Sequence, residues 1–407
     1  MTGLTRKDIF PLLALLSYLL SIFFYEHTKA WMSISMFVLL ILPFIVVGGK
    51  STLHQFVSNY YFPALSFCAI YLLFYYFNSA NHSYFWNRIV MRGPLLALPL
   101  VAAGMCGVLS QNVYRLLLKV FVVMCLAGSF YSLFYYITDY ASVTDNYLKA
   151  QVMPTIINHV RFSIMVAMAC YVAYYLVTRK HYFLSSTERW IWIGVLVYLI
   201  LFLHLYSVRS GLIALYSVVL VELFLNVKGK LGWRRGAVIL TASTLFLTTA
   251  IYFIPTLHNK WKNTIEDIQV YTHKKYANHN SLTTRFISYE AAVVIFKDNP
   301  LLGCGLGDVK DKTDIYFKEH YPEVETPILP HNQFMFMLAA TGLVGFILFV
   351  LLFYSPLLFA ANRKNSILVI HYVILTVSFM TEPMLETQLG MGYSMLFIML
   401  PLMMKQD

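Results

Sequence analysis

The sequence predicts an all-α protein that crosses a membrane many times, and three observations predict it. Hydrophobic residues make up 59% of the 407-residue chain and charged residues only 12%, about half the charged share of a soluble domain. The mean hydropathy is +0.65. The apolar residues also fall into long runs. A helix crossing the hydrocarbon core needs about 20 of them, and in lipid the helix satisfies its own backbone groups. About twelve runs meet this criterion. They centre on residues 9–25, 31–48, 60–77, 90–109, 113–137, 160–177, 190–206, 210–226, 235–254, 332–353, 366–381 and 388–404.

Each run is justified by what flanks it. Arg6 and Lys7 precede the first, which lacks a following small-residue cleavage site and is read as an uncleaved span. With the N-terminus in the cytoplasm, alternate loops collect the basic residues, as the positive-inside rule requires. These are Lys50, Arg115, then Arg179, Lys180 and Arg189, then Lys228, Lys230, Arg234 and Arg235, then Arg363 and Lys364, and finally Lys405. The opposite loops receive Glu26, Asp139, Asp145, Glu382 and Glu386. Arg88 and Arg92 break the alternation. An even number of spans with both termini cytoplasmic follows. Trp31, Tyr60, Tyr61, Trp86 and Trp190 fall near span ends, where interfacial aromatics belong. The net charge of +11 is then a topology signal. No basic patch interleaved with aromatics suggests nucleic acid. Four of the five cysteines lie in apolar runs and Cys304 lies alone in a polar one, so neither a disulfide framework nor a metal-ligand spacing emerges.

The one long polar interval divides the chain into residues 1–254 with nine spans, 255–331 as a large outer loop, and 332–407 with three spans. Residues 258–281 are hydrophilic, a cover for a site or a solvated loop. From Thr283 or Thr284 a helix is expected through Lys297. It sets Arg285 and Tyr289 one turn apart and ends at Asp298-Asn299-Pro300. The following Leu301-Leu302-Gly303-Cys304-Gly305-Leu306-Gly307 allows a tight, closely packed turn and lacks the Lys-Ser/Thr of a phosphate loop.

Arg209, in Ser207-Val208-Arg209-Ser210-Gly211, opens a span from a turn. Two readings stand: an anchor whose head snorkels to the interface, or a planar fork for bidentate phosphate binding. His331 and Asn332 open the tenth span. A helix N-terminus favours a bound anion and a neutral imidazole, which suits a general base beside a phosphate; a capping or interfacial histidine is the other reading. Arg161 is a third basic residue on that face or an anchor, and Glu382 and Glu386 are partners for the arginines.

In this order and spacing, Arg209, Arg285, Asp298-Asn299-Pro300-Leu301-Leu302-Gly303, His331-Asn332 and Thr341-Gly342-Leu343-Val344-Gly345 resemble the bacterial O-antigen ligase family. That superfamily of membrane glycosyltransferases also holds O-antigen polymerases and protein O-oligosaccharyltransferases. The match is specific over residues 155–355; before that only topology agrees. The resemblance implies a glycosyltransferase-C-like membrane fold at the bacterial inner membrane, with a periplasmic site and no metal or other cofactor. It implies inverting transfer of a glycan from undecaprenyl diphosphate to the lipid A-core oligosaccharide. Arg209, Arg285 and Arg161 match the residues that hold the diphosphate. His331 matches the catalytic histidine, and Tyr289, Asn332 and Glu382 are candidates for support.

One dominant outer loop favours a ligase, since polymerases more often carry two; a protein O-oligosaccharyltransferase shares the donor. A transporter or flippase is the alternative from another class. Transporters place charge at the bilayer midplane, whereas these spans are nearly free of it.

Overall fold

The computed structural model describes residues 6–178, 185–226, 232–273 and 281–404. Of the residues used for topology, Arg179, Lys180, Lys228, Lys230 and Lys405 lie outside the described residues, as do Lys274, Lys275 and the side chains of Arg6 and Lys7.

The described residues are overwhelmingly helical. In chain order the helices are α1 (Arg6–Phe23), α2 (Lys29–Val46), α3 (Gly49–Ser58), α4 (Tyr61–Ile70), α5 (His82–Met91), α6 (Gly93–Met105) and α7 (Gln111–Thr138). They continue as α8 (Tyr140–Asn146), α9 (His159–Thr178), α10 (Ser186–Tyr206), α11 (Arg209–Asn226), α12 (Trp233–Phe253), α13 (Pro255–Thr272) and α14 (Ser281–Asp298). The last are α15 (Val309–His320), α16 (Gln333–Phe353), α17 (Ala360–Arg363), α18 (Ser366–Phe379) and α19 (Gln388–Leu402).

This is an all-α polytopic membrane protein. Every apolar run read from the sequence falls on helix, but the runs are not equal. Among the described residues, eight helices are long and apolar enough to cross a membrane, nine if α3 and α4 form one broken span bent by 90°. Asp8–Phe23, Ser366–Phe379 and Gln388–Leu402 are apolar but shorter.

The chain forms two compact units. One comprises Met1–Leu118, Thr284–Tyr372 and Phe379–Asp407, the other Lys119–Thr283 and Val373–Ser378.

In the first unit, α4 and α6 pack together and α6 also meets α2 and α19. Helix α19 is buried from Leu389 to Leu402. A helix apolar on all sides belongs in such a position. Asn332 caps α16 by accepting from the amides of Phe334 (2.9 Å) and Met335 (3.1 Å). The helix breaks at Gly342, whose φ is +62°. Into this break docks the backbone of residues 300–305. Cys304 N–H donates to Ala339 O (2.9 Å), Gly305 N–H to Ala340 O (3.0 Å), Leu343 N–H to Pro300 O (2.8 Å) and Val344 N–H to Leu301 O (3.2 Å). Tyr75 and Tyr71 hydroxyls cover the carbonyls of Thr341 (2.7 Å) and Gly345 (3.1 Å). Helical bonds lost at the break are thus replaced, as an apolar surrounding demands. Glycine is required on both sides: a Cβ on Gly303 would lie 2.5 Å from the backbone of Thr341 and Gly342, and one on Gly342 would lie 2.4 Å from that of Leu301.

In the second unit, α9 is buried along most of its length and packs against α10 and α11. Ser185 caps α10 by accepting from Glu188 N–H (3.1 Å). Ser207 closes α10 in a left-handed conformation (φ +56°), and α11 begins two residues later at Arg209.

Two expectations need correction. Most of the hydrophilic stretch 258–281 is not loop: Pro255 starts α13, which runs to Thr272. Its buried face holds Lys260, Asn263 and Asp267, while its exposed side mixes Trp261, Ile265 and Ile268 with Lys262, Glu266 and Gln269. The helix expected from Thr283 or Thr284 begins earlier, at Ser281, and α15 follows as a further helix in the interval.

Candidate active site

Within the first unit, one face of α14 presents Arg285, Ser288 and Tyr289 to two neighbouring segments. The Arg285 guanidinium donates through Nη2 to Glu382 Oε1 at 2.6 Å; the side chains are 20% and 7% exposed. The remaining Arg285 donors have no partner among the described residues. Ser288 Oγ donates to Arg285 O (2.7 Å) and accepts from His331 N–H (3.2 Å). Tyr289 hydroxyl reaches the carbonyls of His331 (3.1 Å) and Met380 (3.4 Å). Burial raises the Tyr289 phenol above its ordinary value, with Arg285 opposing and Glu382 adding to the shift, so it serves as a neutral donor.

His331 Nδ1 lies 2.9 Å from Leu329 O. A carbonyl only accepts, so Nδ1 carries a proton, and in the neutral form of the ring the lone pair is on Nε2. Asn332, besides capping α16, donates to Met380 O (3.2 Å). Arg285, Tyr289, His331, Asn332 and Glu382 are thus joined by hydrogen bonds in one unit.

The two arginines that broke the charge alternation are accounted for beside this cluster. Glu386, four residues after Glu382, accepts from Arg92 Nη2 at 2.5 Å and through its carbonyl from Arg88 Nη1 at 3.1 Å. Gln333 donates to Glu386 Oε1 (3.0 Å) and accepts from Leu385 N–H (2.9 Å). Arg88 also stacks 4.7 Å from the Tyr84 ring. The residues 380–386 are therefore held by α14, by the start of α16 and by α5 and α6. Sequence reasoning gave Glu386 only the general role of a partner and did not single out Gln333. The signal present was the misplaced pair Arg88 and Arg92.

Arg209 and Arg161 belong to the second unit. Arg209 Nε donates to Thr264 Oγ1 (2.9 Å) and Nη2 to Asn263 Oδ1 (3.1 Å), with Asp267 Oδ2 at 3.4 Å. Asp267 is fully buried and also accepts from Leu282 N–H (3.3 Å). The polar stripe of α13 is thus the bed of Arg209. Sequence reasoning missed it, although the spacing of Lys260, Asn263 and Asp267 is helical. Arg209, Lys260 and Thr264 stand among the lining of a cavity of about 450 Å³ whose other walls include Leu212, Tyr216 and Ile251. Arg161 lies in the first turn of α9, where its amide faces Asn158 Oδ1 (3.4 Å).

Residues 194–350 match the family model described as O-Antigen ligase. Over those residues the chain is similar to the O-antigen ligase family. The matched segment contains Arg209, Arg285, His331 and the docked glycine turn with its helix break. Members of that family are glycosyltransferase-like enzymes. The chain is also 28% identical over 170 residues to an uncharacterized protein of Haemophilus influenzae, an alignment covering 39% of this chain and 40% of that relative.

Proposed function

We propose that the protein is an O-antigen ligase of the bacterial inner membrane. It transfers a glycan from undecaprenyl diphosphate to the lipid A-core oligosaccharide, with inversion and without a metal. One observation carries this reading: a guanidinium held by a single carboxylate oxygen and an imidazole whose Nδ1 donates to a backbone carbonyl are braced against the same turn of α14. Breaking the glycosyl–diphosphate bond builds negative charge on the leaving oxygen. Arg285, fixed in advance in a partly dry place, stabilises that charge without reorganising. His331 Nε2 accepts the proton of the attacking hydroxyl as the new glycosidic bond forms, contributing about 10²–10⁴-fold. Tyr289 and Asn332 hold the histidine's segment, and Glu382 keeps Arg285 in place until the diphosphate competes for it.

Arg209 and Arg161 are proposed as further donor-binding cations; the apolar cavity beside Arg209 suits a polyprenyl tail. The reading assigns residues 255–331 to the periplasmic face and both termini to the cytoplasm.

The test is transfer by purified protein in nanodiscs, given undecaprenyl-diphosphate glycan and lipid A-core in the presence of EDTA. Glycosylated acceptor, lost in His331→Ala, supports the ligase. Longer lipid-linked glycans with unmodified acceptor make it a polymerase, and product on protein alone makes it a protein O-oligosaccharyltransferase. Transfer at the unaltered rate in both Arg285→Ala and His331→Ala sinks the mechanism.

A further inference from the structure

A second cavity of the second unit, also about 450 Å³, opens among α9, α10, α11 and α12. It is separate from the one beside Arg209: Arg209 starts α11, and this cavity surrounds Glu222, about 20 Å further along the same helix. Its walls are apolar, with Leu196, Leu215, Val218 and Ile239 among them. The volume is that of a typical ligand pocket. Glu222 is the charged group in the lining.

A carboxylate in a membrane-spanning helix is costly, and such a group calls for a partner. Glu222 has two neutral ones. Tyr171 hydroxyl donates to Oε1 and Asn226 Nδ2 to Oε2, both at 2.9 Å. Among the described residues no Lys, Arg or His pairs with it. A carboxylate has about four lone-pair sites, so roughly two remain for a further donor. The donors from Tyr171 and Asn226 orient the carboxylate and bring no positive charge, and no described residue supplies one.

We infer that this cavity binds a phospholipid with a primary-ammonium headgroup: the ammonium meets Glu222 and an acyl chain lies along the apolar wall. A primary ammonium brings one positive charge and three donors, so it compensates the charge and fills the open acceptor sites together. A quaternary ammonium brings charge without donors. An anionic headgroup brings repulsion. The site is independent of the transfer reaction and of where that reaction takes place.

The experiment uses the full chain in detergent, relipidated in turn with phosphatidylethanolamine, phosphatidylcholine and phosphatidylglycerol of identical acyl chains. Thermal unfolding midpoints and native mass spectrometry of retained lipid are the readouts. The expected result is retention and stabilisation in that order, phosphatidylethanolamine first. Glu222→Gln should weaken phosphatidylethanolamine binding about tenfold, the worth of one charge-assisted hydrogen bond, and abolish the preference. Val218→Trp, which fills the cavity, should lower retention of all three lipids. Equal retention of the three by the unaltered protein overturns the inference, and so does an undiminished preference in Glu222→Gln. The headgroup series needs no variant, so a substitution that fails to fold does not blunt it.

Discussion

Glu386 is 2% exposed and Arg92 3%. Removing one partner of so buried a pair leaves the other charge without compensation, which costs about 3–5 kcal/mol. Glu386→Ala should therefore lower the unfolding midpoint of the solubilised protein markedly. Glu386→Gln, which still accepts from Arg92, should lower it less; equal midpoints would mean that the pair is structurally idle. Arg285 is different in kind. It is held by a single oxygen of Glu382, and its other donors are uncommitted among the described residues. Arg285→Ala and Arg285→Lys should each reduce glycan transfer by about 10²-fold or more, because a point charge does not replace a planar fork. Membrane insertion and monodispersity should be unchanged. These residues were legible in the sequence to different degrees. Arg285, Tyr289 and His331 could be singled out because charge at the edge of an apolar run is conspicuous. Gln333 and Ser288 could not, since an uncharged polar residue beside an apolar helix gives no sign of which backbone it will reach.

At the scale of elements, the docking of residues 300–305 into the break of α16 makes two demands. The first concerns Gly303 and Gly342, both at positive φ and each facing backbone where a Cβ would stand. Gly303→Ala or Gly342→Ala should destabilise by about 2 kcal/mol or more, combining a left-handed penalty with a clash that no side-chain rotation relieves. A thermal melt of each variant checks it. The second concerns Cys304, between those contacts. Burial, with a smaller contribution from Asp308, pushes its thiol up to about 12. At pH 8 the folded protein then holds roughly a thousandfold less thiolate there than an ordinary cysteine, so maleimide labelling of Cys304 should be slow until the protein unfolds. Rapid labelling in the native state would contradict the buried placement. The sequence announced the glycines of both segments and gave a tight turn for the first. It did not announce that the two motifs meet, because pairing across some forty residues leaves no local periodicity. Helix α13 was hidden for another reason: its polar side faces Arg209, so a hydropathy reading takes it for solvated chain.

At the scale of the whole molecule, composition alone gave the all-α membrane class, since so few charges cannot cover a soluble surface. The apolar runs all located helices, but among the described residues length separates eight or nine candidate spans from three shorter helices. Hydropathy reads apolarity and is blind to where a run bends, as between α3 and α4. The proposed orientation makes its own prediction. A fluorescent protein that matures only in the cytoplasm should be bright when fused after residue 407, and a cysteine introduced at Glu319 on α15 should react with a membrane-impermeant reagent applied from the periplasm. Reaction only after the inner membrane is opened would invert the assignment. The break in α16 also bears on how the chain is made. A translocating helix normally carries its amide–carbonyl ladder into lipid complete, but this one borrows rungs from residues that left the ribosome some forty positions earlier. Insertion of α16 must therefore wait for, or proceed jointly with, the turn before it. The amide protons of Cys304, Gly305, Leu343 and Val344 should exchange with solvent deuterium as a single cooperative group.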